Sequence, residues 1–208
     1  MKRLVISVFM TISLAFGVQG ASAAGLGLTT EPPTLNASFA LIEYFDNAPF
    51  GDLATFGADI DSSDGVSPTG AAFVDFIIGF DPTDPANTLT GGFDVFDDNG
   101  LFLSGVATDA GYETDTIEFL LDVIGGSASG AFGSQVLMTI AFDTFEMLGD
   151  NPFDNLEDTE LVRFDGPYIG SVSIAKVAPS AVIPIPAGLP LLLTALVGLG
   201  WLRRRTLA

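Results

Sequence analysis

The sequence predicts an all-β protein, an antiparallel β-sandwich with a jelly roll as the alternative. Polar and apolar residues alternate, as in 117–124, where every second residue is apolar. Turn residues separate such runs, and Asn99-Gly100 between the apolar runs 93–96 and 101–103 is a typical hairpin signal. Many short strands joined by Gly, Asp and Pro favour a sandwich at this length.

Further strands are predicted wherever apolar residues recur between turn signals. Residues 81–85, Asp-Pro-Thr-Asp-Pro, are predicted to be a turn, and residues 145–148 a single helical turn. Sixteen of the 18 Phe lie in residues 24–178, which is enough aromatic volume for a packed core. The predicted strands are 35–45, 71–80, 93–96, 101–103, 117–124, 136–142 and 170–177.

The composition excludes most classes of enzyme. The 208 residues include no His and no Cys, so there is no Ser-His-Asp system, no imidazole or thiolate metal site and no disulfide. A net charge of −19 argues against nucleic-acid binding, which needs a basic face. Among 26 acidic residues, a pair at glycosidase spacing arises by chance. The protein is therefore predicted not to be an enzyme, with a secreted glycan-acting hydrolase as one alternative.

The first 23 residues are typical of a secretory signal peptide. Two basic residues precede the apolar run 4–18, which is short for a membrane span. Ala21 and Ala23 then form the small-residue pattern that a signal peptidase recognises. The sequence therefore predicts export, with residues 1–23 removed.

The last 30 residues, 179–208, have the features of a membrane-inserted tail. Residues 183–202 carry no charge, and 20 helical residues span about 30 Å, the thickness of a hydrocarbon core. Arg203, Arg204 and Arg205 follow, and the positive-inside rule keeps them in the cytoplasm. The chain before them is then expected outside the membrane.

A proline motif, an apolar helix and a basic cluster follow one another in this tail. The motif consists of Ile183, Pro184, Ile185, Pro186 and Ala187. This order resembles the VPLPA-type PEP-CTERM sorting tail, with Ile in place of its Val and Leu. The resemblance covers only the last 26 residues. It implies that an exosortase, a membrane-embedded transpeptidase-like enzyme, recognises the tail and cleaves near the motif. It also implies a matrix role, because exosortases are associated with exopolysaccharide production.

The exported domain, residues 24–178, is strongly acidic. It contains all 26 acidic residues but only two basic ones, Arg163 and Lys176. Such a charge favours solubility and keeps exported chains apart. The protein is predicted to be a cell-surface or extracellular-matrix component, with extracellular polysaccharide as a partner. The main alternative is a permanently anchored type I membrane protein whose sandwich binds carbohydrate or Ca²⁺.

One aspartate-rich segment is a candidate calcium loop. Asp59, Asp61 and Asp64 precede Gly65, and such spacing can surround Ca²⁺ with oxygen ligands. The segment departs from the EF-hand loop, because Gly70 stands where that loop has Glu. A solvated turn explains the same residues, and no other cofactor is predicted. A second oxygen-rich cluster, which the hairpin itself explains, consists of Asp94, Asp97, Asp98 and Asn99.

Overall fold

The computed structural model describes residues 25–146, 148–162 and 166–179. The predicted signal peptide, sorting motif, apolar helix and arginine cluster lie outside these residues and stay predictions. Within the described ranges, the helices are single turns, and none is long and apolar enough to cross a membrane.

Nine strands and three helical turns make up the described part of the chain. The strands are β1 (Thr30–Asn47), β2 (Phe50–Asp59), β3 (Ser62–Asp64), β4 (Phe73–Phe80), β5 (Thr90–Asp97), β6 (Gly100–Glu113), β7 (Thr116–Gly125), β8 (Gln135–Phe142) and β9 (Tyr168–Val177). The helical turns are α1 (Pro85–Thr88), α2 (Ser129–Phe132) and α3 (Pro152–Asn155).

The strands form one antiparallel sheet that closes on itself. Its order is β2-β4-β5-β6-β7-β8-β9-β1, and β1 also pairs with β2. The long strand β1 makes this closure, because residues 30–42 pair with β9 and residues 43–47 pair with β2. β3 lies outside the circuit and pairs with residues 34–36 of β1. The result is a closed eight-stranded barrel with one extra strand.

The all-β, antiparallel prediction is confirmed, but the sandwich and its jelly-roll alternative are wrong. Alternating polarity buries one face of each strand in a sandwich and in a barrel alike. The two architectures differ in whether the first and last strands pair. Here they do, although more than a hundred residues separate β1 from β9. Local periodicity carries no information about such a distant pairing.

The predicted strands coincide with β1 and β4 to β9, and the turn at 81–85 is present. β2 and β3 were not predicted. Residues 144–146 form a turn in which the N–H of Glu146 donates to the carbonyl of Asp143 at 2.8 Å, and the rest of the helical turn predicted at 145–148 includes residue 147, which lies outside the described residues. In the predicted hairpin, Asp97 pairs with Gly100, whose φ of 108° lies in the region that favours glycine. A register shift beside this turn shows that the hairpin contains a bulge.

Apolar side chains fill the interior of the barrel. The largest fully buried ones include Phe76, Phe80 and Phe119 on the strands. Phe132 of α2 and Phe153 of α3 are also buried in this cluster. The connections that carry these two residues follow β7 and β8, so they leave opposite ends of the antiparallel barrel. One phenylalanine therefore helps to close each end.

Candidate functional site

The predicted calcium ligands lie along the link between β2 and β3. Asp59 is the last residue of β2, and Asp64 is the last residue of β3. Between them, the Oδ2 of Asp61 accepts a hydrogen bond from the backbone N–H of Ser38 at 2.7 Å. This bond stabilises the carboxylate and lowers the pKa of Asp61. Asp61 thus attaches the link to β1.

The three aspartates do not converge on one point. A shallow depression of about 190 Å³ at this link is lined by Asp61 and by Ser62, Ser63 and Ser67, but not by the other two aspartates. In the described ranges, no group of three or more acidic side chains is placed to hold a metal ion. The calcium candidate therefore gains no support from the geometry.

A larger groove lies on the outer wall of the barrel. It has a volume of about 430 Å³, within the range of small-molecule sites, and crosses β2, β4, β5, β6 and β7. Its walls are apolar and its floor carries polar groups. The residues that shape it are Phe56, Asp75, Ile77, Gly92, Asp94, Ser104 and Ile124.

The polar floor is a row of side chains across three adjacent strands. Asp75 of β4 is directly opposite Asp94 of β5, which is directly opposite Ser104 of β6. The alternation of strands directs this row outward, because the next residues along the chain, Phe76 and Val95, are buried in the core. The register therefore brings two carboxylates and one hydroxyl to the same floor.

A bulge in β2 forms the aromatic wall. Thr55 and Ala58 pair with residues only two apart on β4, so Phe56 and Gly57 have one residue opposite them. Gly57 has a φ of 67°, which favours glycine, and its N–H donates to the Asp75 carboxylate. The side chain of Phe56 is 60% exposed beside the groove. Asp75 thus fixes the bulge that presents this ring.

The middle of the groove is lined by a glycine, Gly92. A Cβ on Gly92 would lie 1.9 Å from the carbonyl oxygen of Gly105 on β6, so no other residue fits without moving that strand. The neighbours of Gly92 across the sheet, Ile77 and Val106, are 50% and 40% exposed. Gly92 therefore allows close approach of β6 and places no side chain between Ile77 and Val106.

Two polar groups on the floor lack protein partners. Ser104 is only 7% exposed, yet its hydroxyl makes no hydrogen bond to any described residue. The Asp94 carboxylate also has no hydrogen bond or ion pair with the part of the chain that the structure describes. Like charges directly opposite each other on neighbouring strands, such as Asp75 and Asp94, destabilise a sheet. The floor therefore leaves the Asp94 carboxylate and the Ser104 hydroxyl available to a ligand.

The sequence did not identify this groove. Phe56 was missed because β2 was not predicted, and the bulge interrupts the alternation that would have revealed that strand. Asp94 was assigned to a cluster explained by the β5–β6 hairpin. The polar row depends on pairing among three strands, which no local pattern reports.

Comparisons with protein-family models, with curated proteins and with solved structures find no significant match to this chain. The functional argument therefore uses two sources only. One is the geometry of the barrel and its groove, and the other is the sequence of the two termini.

Proposed function

We propose that this protein is an exported, non-catalytic component of the cell surface or extracellular matrix, and that an exosortase processes its C-terminal tail. The order of parts after the barrel carries the proposal. β9 ends at Val177, and only five residues separate it from Ile183, where the sorting motif begins. The motif therefore follows the folded domain directly and precedes the apolar run.

The architecture of the barrel suits a protein that functions outside the cell. A closed sheet has no long unpaired edge that could add strands from other molecules. The fold needs no disulfide, because the chain has no cysteine and a large apolar cluster fills the barrel. A rigid barrel with a packed interior is suited to display a surface, and the outer groove provides one.

The tail also sets the distance between the barrel and the membrane. The linker from Val177 to Ile183 spans at most about 20 Å when fully extended. Before processing, the barrel would therefore stay close to the bilayer, which raises the local concentration of the motif at a membrane enzyme. Cleavage would release the barrel or transfer it to the cell surface.

The C-terminus of the exported protein tests this proposal. Mass spectrometry of the protein recovered from the cell surface and the medium is expected to find chains that end near residues 184–187 and lack the arginine cluster. Chains that still end at Ala208 in every fraction would overturn the proposal and support the permanently anchored type I alternative.

Proline variants inside and outside the motif test whether the enzyme recognises it. Replacing Pro184 and Pro186 together by Ala is expected to leave most of the protein uncleaved and in the membrane fraction. Pro179→Ala lies outside the motif and is expected to be processed normally. Equal processing of both variants would show that the enzyme does not recognise the motif.

A further inference from the structure

We infer that the outer groove binds an amino-sugar polysaccharide, with an ammonium group of the sugar placed at the Asp75–Asp94 pair. The inference rests on the proposed function in one respect, because an extracellular polysaccharide is available only to an exported chain. It otherwise depends on four features of the groove, which are its charge, the Ser104 hydroxyl without a protein partner, its aromatic wall and the glycine at its centre.

The charge of the floor selects a cationic group. Asp75 and Asp94 lie directly opposite each other on the adjacent strands β4 and β5, where like charges repel. The one ion pair in the described ranges joins Lys176 to Glu31 on the β1–β9 side of the barrel, so it does not neutralise this pair. An ammonium group between the two carboxylates would remove the repulsion and form charge-assisted hydrogen bonds. An anionic polysaccharide would instead be repelled.

The hydroxyl of Ser104 selects a ligand with further hydrogen-bonding groups. It lies next to Asp94 on the floor and makes no hydrogen bond to a described residue, although the oxygen itself is accessible from the groove. A ligand hydroxyl in the groove would supply a hydrogen-bond partner in place of water. A simple amine or polyamine has no hydroxyl to offer, whereas a hexosamine carries its ammonium group beside hydroxyls.

The walls select a ligand with flat apolar faces. Phe56 and Ile124 are 60% and 66% exposed on opposite sides of the groove. The C–H face of a pyranose ring packs against an aromatic ring, and an ammonium group gains further attraction from its π face. Gly92 places no side chain between the exposed Ile77 and Val106.

Binding measurements on the full-length chain in non-ionic detergent micelles test the inference. The probe is an oligosaccharide of β-1,4-linked glucosamine, and calorimetry is expected to detect binding that weakens with salt. The N-acetylated oligosaccharide and the cellulose-derived one have the same linkage but no ammonium group, and both are expected to bind at least tenfold more weakly. Equal binding of all three would overturn the inference, as would no binding of the glucosamine probe.

Single substitutions locate the binding. Asp94→Asn removes one charge but no structural contact and is expected to weaken binding about tenfold. Phe56→Ala is expected to weaken it about threefold to tenfold, and Phe56→Trp to restore it. Glu160→Gln and Phe145→Ala change exposed residues outside the groove and serve as controls. If the control variants lose as much affinity as the groove variants, the acidic surface binds the probe without a specific site.

Two further probes separate the sugar from other amines. Spermidine and a lysine-rich peptide carry ammonium groups without a pyranose ring, and both are expected to bind more weakly than the glucosamine oligosaccharide. Tighter binding of either would show that the groove binds that ligand rather than an amino-sugar polysaccharide. Because this experiment uses purified protein, its result does not depend on where the cell sends the chain. Failure of binding and failure of tail processing are thus observed separately.

Discussion

Tyr44 connects the packed interior of the barrel to its acidic surface. Its side chain is buried and stacks against Phe80, with ring centroids 6.2 Å apart. Burial raises the pKa of its phenol to about 12, with smaller contributions from the carboxylates of Asp46, Asp158 and Asp52. The folded state therefore favours the neutral phenol.

The raised pKa predicts loss of stability in alkali. An unfolded tyrosine ionises near pH 10, so the folded state holds its proton more tightly than the unfolded state does. The stability from this difference is complete below about pH 10 and is lost as the pH rises toward 12. Circular dichroism and phenolate absorbance are expected to show unfolding in this window. Tyr44→Phe should move the midpoint to higher pH, whereas an unchanged midpoint would show that another group controls the transition. Tyr112→Phe is the control.

At the scale of elements, the β8–β9 connection continues the ladder of β1 beyond the start of β9. β9 pairs with β1 only as far as Ile42, and the connection then supplies the next partners. The N–H of Thr159 donates to the carbonyl of Tyr44 at 2.9 Å, while the Thr159 hydroxyl accepts from the N–H of Tyr44 at 3.2 Å. Asp158 accepts from the N–H of Asp46 at 2.9 Å, and this bond, ahead of a second one from the N–H of Leu161, lowers the pKa of its carboxyl. The connection is therefore attached at the edge of the barrel.

Phe153 is the side chain by which this connection closes the end of the barrel. Phe153 is 2% exposed, and its ring packs edge-on against Phe80 and Tyr112, with centroid distances of 4.9 Å and 5.9 Å. We expect Phe153→Ala to lower the free energy of unfolding by about 3–5 kcal/mol, because it removes buried surface and leaves a cavity. Denaturant unfolding measures the change.

A matched variant distinguishes closure from a general effect of losing an aromatic ring. Phe145 lies in the same connection but is 93% exposed, so Phe145→Ala should change stability by less than about 0.5 kcal/mol. If Phe153→Ala were equally mild, the end of the barrel would not depend on this ring.

At the scale of the molecule, the sequence predicts what is local and misses what is distant. β7 and β8 were predicted because apolar residues recur at every second position along them. β2 was missed because the Phe56–Gly57 bulge shifts the register in its middle. Barrel closure was missed because β1, the first strand, pairs with β9, the last of the described strands. The groove was missed for the same reason, because Asp75, Asp94 and Ser104 become neighbours only through sheet pairing.

The charge of the whole domain carries the last prediction. Residues 24–178 contain 26 acidic and two basic residues, and this excess of negative charge opposes the compact state. Raising NaCl from about 10 mM to about 200 mM shortens the Debye length from about 30 Å to less than 10 Å, so the repulsion falls. The melting temperature of the full-length chain in non-ionic detergent is therefore expected to rise by several degrees.

Calcium separates screening from site binding in the same experiment. The oxygen of Asp61 that accepts from Ser38 is already used, and neither Asp59 nor Asp64 lines the depression beside it. CaCl₂ is therefore expected to raise the melting temperature no more than NaCl does at equal ionic strength. A larger rise with CaCl₂ that Asp61→Asn abolishes would show that the loop binds the ion. A fall in melting temperature with NaCl would mean that repulsion among the carboxylates does not limit the stability of the barrel.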